Sequence, residues 1–301
     1  MNFRQLRYFA AVAEEENIGR AALRLHISQP PLTRQIQQLE DELGVKLLHR
    51  TSKGVELTQA GDTLYHEARN ILALTAVATE RTVKAEQGHL GRLDIAIFGS
   101  AILGLIPKTV LEFRNAYPDV NVVLHTMSKP DQIKALRRRQ IDIGFNRLLA
   151  PHEDITTEVI LYEELVIAVN ENHPLAKKKD LKFTDLAGEP LILFPSNARP
   201  GFIDYAIRIC NDAGFSPNIT QEVGDAVTGV ALVASGFGIS IVPRSTTALS
   251  LPGVIYRDFE QNKDVAGLDL SCIYRTDNHS QILHNFLQVV RRYAAELEKK
   301  S

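Results

Sequence analysis

The chain has 301 residues, 45% of them hydrophobic and 23% charged, with a formal net charge of -2 at pH 7. That length admits two or three domains with cores of their own, and no apolar run approaches the roughly 18 residues of a membrane span. The near-neutral balance (pI ≈ 6.5) excludes a uniformly basic nucleic-acid binder, so any such role must rest on local placement of charge.

The opening MNFRQLRYFAAVAEEEN puts three acids directly after a short apolar patch, which argues against a signal peptide. Cys210 and Cys272 have no metal-type neighbour spacing and fit a reducing compartment. Together these give a cytoplasmic expectation with no membrane partner. Residues 1–57 then read as short helices and a hairpin. Leu6, Phe9, Ala10 and Ala13 share one face, and Ile18, Ala21, Ala22 and Leu25 another. Leu32, Ile36, Leu39 and Leu43 repeat the pattern until Gly44 stops the helix. VKLLHRTSKGVELT reads as two short strands around Thr51-Ser52-Lys53-Gly54.

Thr58 is a plausible N-cap for a helix reaching about Gln87, with Gly88 and Gly91 beyond it. Leu57, Leu64, Ile71, Ala78 and Ala85 recur every seventh residue, as a seam against another helix does. A partner chain supplies such a seam most simply; packing on its own C-terminal domain is the alternative. From Leu93 the pattern becomes α/β, with LDIAIF, VNVVLHT and IDIGF as buried strands and helices expected at Leu103–Tyr117 and Asp131–Arg139. ELVIAV, LILF, ITQEV and GISIVP form a second strand series with helices near Phe202–Ala213 and Ala226–Ser235. LDLSCIYR and a helix over His279–Lys299 close the chain. Two linked α/β units with a late chain return imply a two-lobed, hinged domain.

The stretch SQPPLTRQIQQLE places two prolines where a helix begins. With Ser28 as N-cap, Gln29, Pro30 and Pro31 occupy first-turn positions whose N–H groups have no intrahelical acceptor, so the missing donors cost little. Pro30, Thr33, Arg34 and Gln37 then face outward, with Gln29 at the tip. A short helix followed by one presenting amides, a hydroxyl and an arginine from its N-terminal end fits helix-turn-helix reading of a major groove. Arg34 suits a bidentate contact to guanine, Gln29 or Gln37 a base edge, and the proline rings thymine methyls. Arg50 and Lys53 on the hairpin would lie over phosphates. Residues 1–57 carry eight Arg or Lys against seven acids, and the stretch from Ser28 to Gln37 holds no acid.

Beyond pattern, FRQLRYFAAVAEEENIGRAALRLHISQPPLTRQIQQLEDELGVKLLHRTSKGVELTQAG resembles the N-terminal signature of the LysR-type transcriptional regulators. The shared features are Ala21-Ala22, the SQPP turn, I-x-x-L-E-x-x-L-G, L-L-x-R and L-T-x-A-G. The resemblance implies a winged helix-turn-helix over 1–58, a dimerising linker helix over 59–90, and an effector domain over 91–301 resembling periplasmic binding proteins. Its first lobe would hold about 91–161 and 268–301, its second about 162–267. It also implies operator DNA as partner, homodimers through the linker helix that pair into homotetramers, a possible contact with RNA polymerase, and no cofactor. MNFRQLRYF and DQIKALRRRQIDIGFNRL look most like the branch controlling catabolism of aromatic acids and muconate, so the expected effector is a small carboxylate of that kind and the expected action activation of a catabolic operon. A regulator answering to a non-aromatic metabolite is the alternative.

Ligands of open α/β sheets bind outside the carboxyl ends of strands, which here are Gly99-Ser100, Thr126 to Lys129, Asn146-Arg147, Pro195 to Phe202 and Gly224-Asp225. Ser100, read as starting a helix, would offer an anion seat, and Arg147 a planar fork for a carboxylate. Phe202 and the loop PSNARPGF would cover an apolar ring. By the resemblance, Ser100, Ser128, Arg147 and Phe202 match the effector-holding positions. Ordinary structural roles compete with these: Ser100 as a cap, Arg147 as an ion pair between lobes. An enzyme is disfavoured because no G-x-S-x-G elbow, P-loop or G-x-G-x-x-G follows a strand. A stand-alone solute-binding protein leaves the first 91 residues unexplained.

Overall fold

The N-terminal helices form where the apolar spacing puts them: α1 (Phe3–Glu15), α2 (Ile18–Arg24) and α3 (Gln29–Leu43), followed by the hairpin β1 (Leu48–Thr51) and β2 (Gly54–Leu57). The structure, a computed structural model, describes residues 1–51, 54–195, 201–260 and 267–299. Its contacts divide the chain into two units, Met1–Lys84 and Ala85–Ser301. Among the described residues no helix is long and apolar enough to cross a membrane.

In the first unit Phe9, Val12, Ala21, Leu32, Leu39 and Leu47 are fully or almost fully buried together. Ser28 holds the N-cap position of α3 in extended conformation, but its side chain makes no capping bond; both prolines sit in the first turn. Gly44 ends the helix in the left-handed region (φ 69). Leu43 was expected to face inward and is instead 39% exposed at the end of the helix.

The hairpin is fixed to this bundle by three devices. Glu40 is buried, and its Oε1 accepts the amides of Leu47 (2.8 Å) and Leu48 (3.2 Å), while Oε2 accepts Lys46 Nζ at 2.8 Å. Thr58 Oγ1 donates to the Lys46 carbonyl (2.7 Å) and accepts the Gly61 amide (2.9 Å), capping α4 (Gln59–Glu86). Gly54 (φ 146) lets the Val55 amide reach the Glu16 carbonyl at 2.9 Å; a Cβ on Gly54 would stand 2.2 Å from that oxygen.

In the second unit one strand organises two sheets. β3 (Gly91–Ile97), β4 (Val120–Thr126) and β5 (Ile143–Asn146) are parallel, with β3 central. β11 (Gly267–Arg275) runs antiparallel to β5 and to the first part of β6 (Ile155–Asn170). The far end of β6 pairs instead with β9 (Ser240–Pro243) and β10 (Val254–Arg257). The sequence expected only ELVIAV of this sixteen-residue strand and did not anticipate β10. The crossing of β6 therefore defines two lobes. The first packs α5 (Leu105–Ala116) and α9 (Gln281–Glu298) on its sheet around Phe113, Phe145 and Phe286. α6 (Lys129–Arg137) covers the other face through Ile133 and Leu136. The second lobe gathers the parallel pair β7 (Pro190–Leu193) and β8 (Asn218–Glu222), α7 (Phe202–Asp212) and α8 (Ala226–Ala234).

Glu40→Ala should free the Leu47 and Leu48 amides, a loss of about 1–3 kcal/mol for groups left unsatisfied. Burial alone would raise this carboxyl, but Lys46 and the two amides hold it below the usual glutamate range. Its contribution is therefore full above about pH 4.3, the unfolded glutamate value, and is lost as the pH falls through the lower folded value. Amide hydrogen exchange at Leu47 and Leu48 should be faster in the variant at neutral pH. Equal protection in both proteins would show that the hairpin is held by packing alone.

Candidate DNA-reading surface and effector cleft

On the first unit, Ser28, Gln29, Pro30, Pro31, Arg34 and Gln37 are exposed and Thr33 is half-buried, so α3 presents the face its spacing predicted. The hairpin brings Arg50 alongside Thr33 and Gln37 in one shallow groove, with Glu40 at its base. Arg34 forms no ion pair among the described residues, whereas Arg24 on α2 pairs with Glu14 at 2.7 Å and Glu15 at 3.3 Å. Acids thus neutralise the bundle's flank while the α3 turn keeps its positive charge. Lys53 lies outside the described residues. Glu40, which sequence reasoning counted only among the acids, sets the distance between α3 and the hairpin.

On the second unit, a narrow cleft lies between the lobes. Phe98, Phe194, Phe202, Pro195 and Pro243 form apolar walls, and Ser100, Lys129 and Arg147 bring polar groups to it. The strand-end rule places all three, because β3, α6 and β5 deliver them to one edge. Ser100 is buried in a five-residue 3-10 turn (Gly99–Leu103); it does not start an α-helix, since Gly104 breaks the chain direction before α5 begins at Leu105.

Ser128 is the departure. It caps α6, its Oγ accepting the Asp131 amide at 3.4 Å and donating to Asp131 Oδ2 at 2.5 Å, and it is not among the residues lining the cleft. Lys129, one position on, does so in its place. Of the loop PSNARPGF, positions 196–200 lie outside the described residues.

Arg147 is in the cleft wall, yet both its terminal nitrogens are already engaged, while its buried Nε has no hydrogen-bond partner among the described residues. Nη2 donates to Glu163, and Nη1 donates to the Leu268 carbonyl at 3.2 Å. Both side chains are about nine-tenths buried, at 10% and 8% exposure. Glu163 also accepts the Ser245 amide from the turn after β9, so one carboxylate ties Arg147 in the first lobe to the second. Sequence reasoning missed Glu163; its signal was the pair of acids, Glu163-Glu164, opening the apolar run LVIAV. Burial presses the Lys129 ammonium below the ordinary lysine range, against the pull of Asp204 on α7.

A helix-turn-helix with a hairpin wing, joined to two sheets around an apolar cleft with polar ends, defines a DNA-binding regulator with a ligand pocket. The bacterial regulatory helix-turn-helix protein, lysR family, matches residues 3–62, and the LysR substrate binding domain matches residues 86–295. The HTH-type transcriptional regulator ClcR of Pseudomonas putida is 40% identical over 290 residues, 96% of this chain and 98% of that one. The crystal structure of CbnR, a LysR family transcriptional regulator, superposes with a TM-score of 0.91 at 39% identity over 97% of this chain and all of that one. With its target DNA, CbnR gives 0.87 at 38% identity, over 98% of this chain and all of that one. The BenM effector binding domain with its effector benzoate matches at 0.64 and 30% identity, covering 69% of this chain and 94% of that one. The chain belongs to the LysR family, whose members are transcriptional regulators and not enzymes.

Arg34→Ala should cost roughly 1–3 kcal/mol of specific binding and relax preference at one base pair. Arg50→Ala should weaken all DNA sequences about equally and lower the salt slope by about one phosphate contact. Gel shifts on operator and scrambled DNA over a salt series separate the two. Equal, sequence-blind losses would assign Arg34 to the backbone.

Proposed function

We propose that this regulator activates a catabolic operon for aromatic compounds in the cytoplasm, reading its operator through α3 and the hairpin and answering to a small carboxylate in the cleft between its lobes. The observation that carries this is the cleft itself: phenylalanine and proline walls, with cationic and hydroxyl groups at its polar end. Apolar enclosure with a few placed polar groups is the form of a small-molecule site. The likeness to BenM, whose effector in the matched structure is benzoate, supports an aromatic acid or muconate-like ligand here. A ligand can shift the relative closure of two lobes only by binding one arrangement better.

Full-length protein titrated by calorimetry with benzoate and cis,cis-muconate, with acetate and succinate as small non-aromatic controls, tests the reading. At least one of the first two should bind, change the DNase protection pattern on operator DNA, and lose affinity in Ser100→Ala. Binding by acetate or succinate alone would turn the reading to a non-aromatic metabolite.

We place the assembly on α4: of the seam expected at Leu57, Leu64, Ile71, Ala78 and Ala85, Leu57 and Leu64 pack on the chain's own helical bundle, while Leu74, Val77 and Val83 further along are 69%, 48% and 50% exposed. Such side chains on one long helix favour pairing with a second copy, and two linked heads gain affinity by engaging two half-sites at once. Leu74→Lys should leave the chain folded, reduce the sedimenting species towards monomer, and shorten the protected region of DNA. Unchanged sedimentation would move the interface elsewhere.

A further inference from the structure

The cation expected to receive the effector's carboxylate is not the freest one in the cleft. Arg147 is held by buried Glu163 and by the Leu268 carbonyl, so its charge is neutralised before a ligand arrives. Lys129 reaches the same cleft from the first position of α6. Its hydrogen bond there is a long one, 3.4 Å, to the carbonyl of Leu148. The position is poor for an ammonium: the positive end of a helix disfavours a cation, and the apolar walls strip its water. An arriving carboxylate relieves both.

Leu148 adds a second observation. It follows Arg147 directly and has φ 54, in the left-handed region that a branched leucine rarely occupies and that marks strain at functional sites. The Lys129 hydrogen bond therefore secures a strained turn whose other anchor is the Arg147–Glu163 pair.

Resting on the reading of the cleft as a carboxylate site, we propose that Lys129 is its specificity-determining residue: the ammonium exchanges the Leu148 carbonyl for the effector's carboxylate, and the Arg147–Leu148 turn is released in the same event. The charged groups around it are Asp204 from α7, Arg147 after β5, and Asp131 and Lys134 on α6, the last two paired with each other at 3.7 Å.

The test uses full-length wild type, Lys129→Met, Lys129→Arg and Ser100→Ala, each titrated with benzoate and with cis,cis-muconate from neutral pH upward to the ordinary lysine range, below which burial displaces this ammonium. Lys129→Met should bind about ten- to a hundredfold more weakly, as loss of a charged hydrogen bond implies, and Lys129→Arg should keep most of the affinity. Wild-type affinity should fall with rising pH as the ammonium deprotonates, while that of Lys129→Arg stays flat. Wild-type affinity in Lys129→Met, with Ser100→Ala still weakened, overturns the assignment but leaves the cleft reading intact. Equal losses in Met and Arg variants with a flat wild-type profile make Lys129 only a support of the turn and also overturn it. Failure of the wild type to bind either probe overturns the cleft reading as well.

Discussion

A buried carboxylate at the waist of the second unit is the contact on which its two lobes depend. Glu163 stands where β6 leaves its pairing with β11 for its pairing with β9, and it accepts from Arg147 on one side and the Ser245 amide on the other. Its neighbour Glu164 repeats the arrangement at the surface through Arg244, which also holds Asp258, each at 2.6 Å. Removing one partner of a buried pair leaves an uncompensated charge, which costs far more than the pair itself contributes. The waist is therefore a joint with one buried carboxylate at its centre. The wall of the cleft and that joint share Arg147, so the cleft adjoins the contact that ties the two lobes.

The first unit uses the same chemistry on a smaller scale. Glu40 gathers two amides and an ammonium from the segment between α3 and β1, and Thr58 closes that segment from the other side. A recognition helix and a wing must hold their spacing to within a fraction of an ångström to meet base edges and phosphates together. Hydrogen bonds from a buried side chain provide that precision better than apolar contact, because they are directional.

Both units place a charged group where a hydrophobic one would give more stability. The charge serves geometry in each case, since Glu40 spaces two DNA-contacting elements and Glu163 couples two lobes. The two cysteines illustrate the contrary case. Cys210 and Cys272 are buried among apolar groups, which pushes their thiols up to about 11 and about 12. They pack as small hydrophobes and are poor nucleophiles at neutral pH.

Local sequence determined the helical bundle, because helix periodicity, the paired prolines and Gly44 act within a few residues of one another. It also determined which strand ends carry polar groups, and so brought Ser100, Arg147 and Phe202 together in advance. It could not decide the register at Ser128 and Lys129, since both follow the same strand and only the start of α6 sets which one turns inward. Nor could it tell a free arginine from a paired one: Glu163 meets Arg147 only because β6 and β5 flank β11, a neighbourhood set by sheet order. Hydrophobic spacing is a property of nearest neighbours along the chain. The partners of buried charges come from distant segments, and the tertiary structure alone chose them.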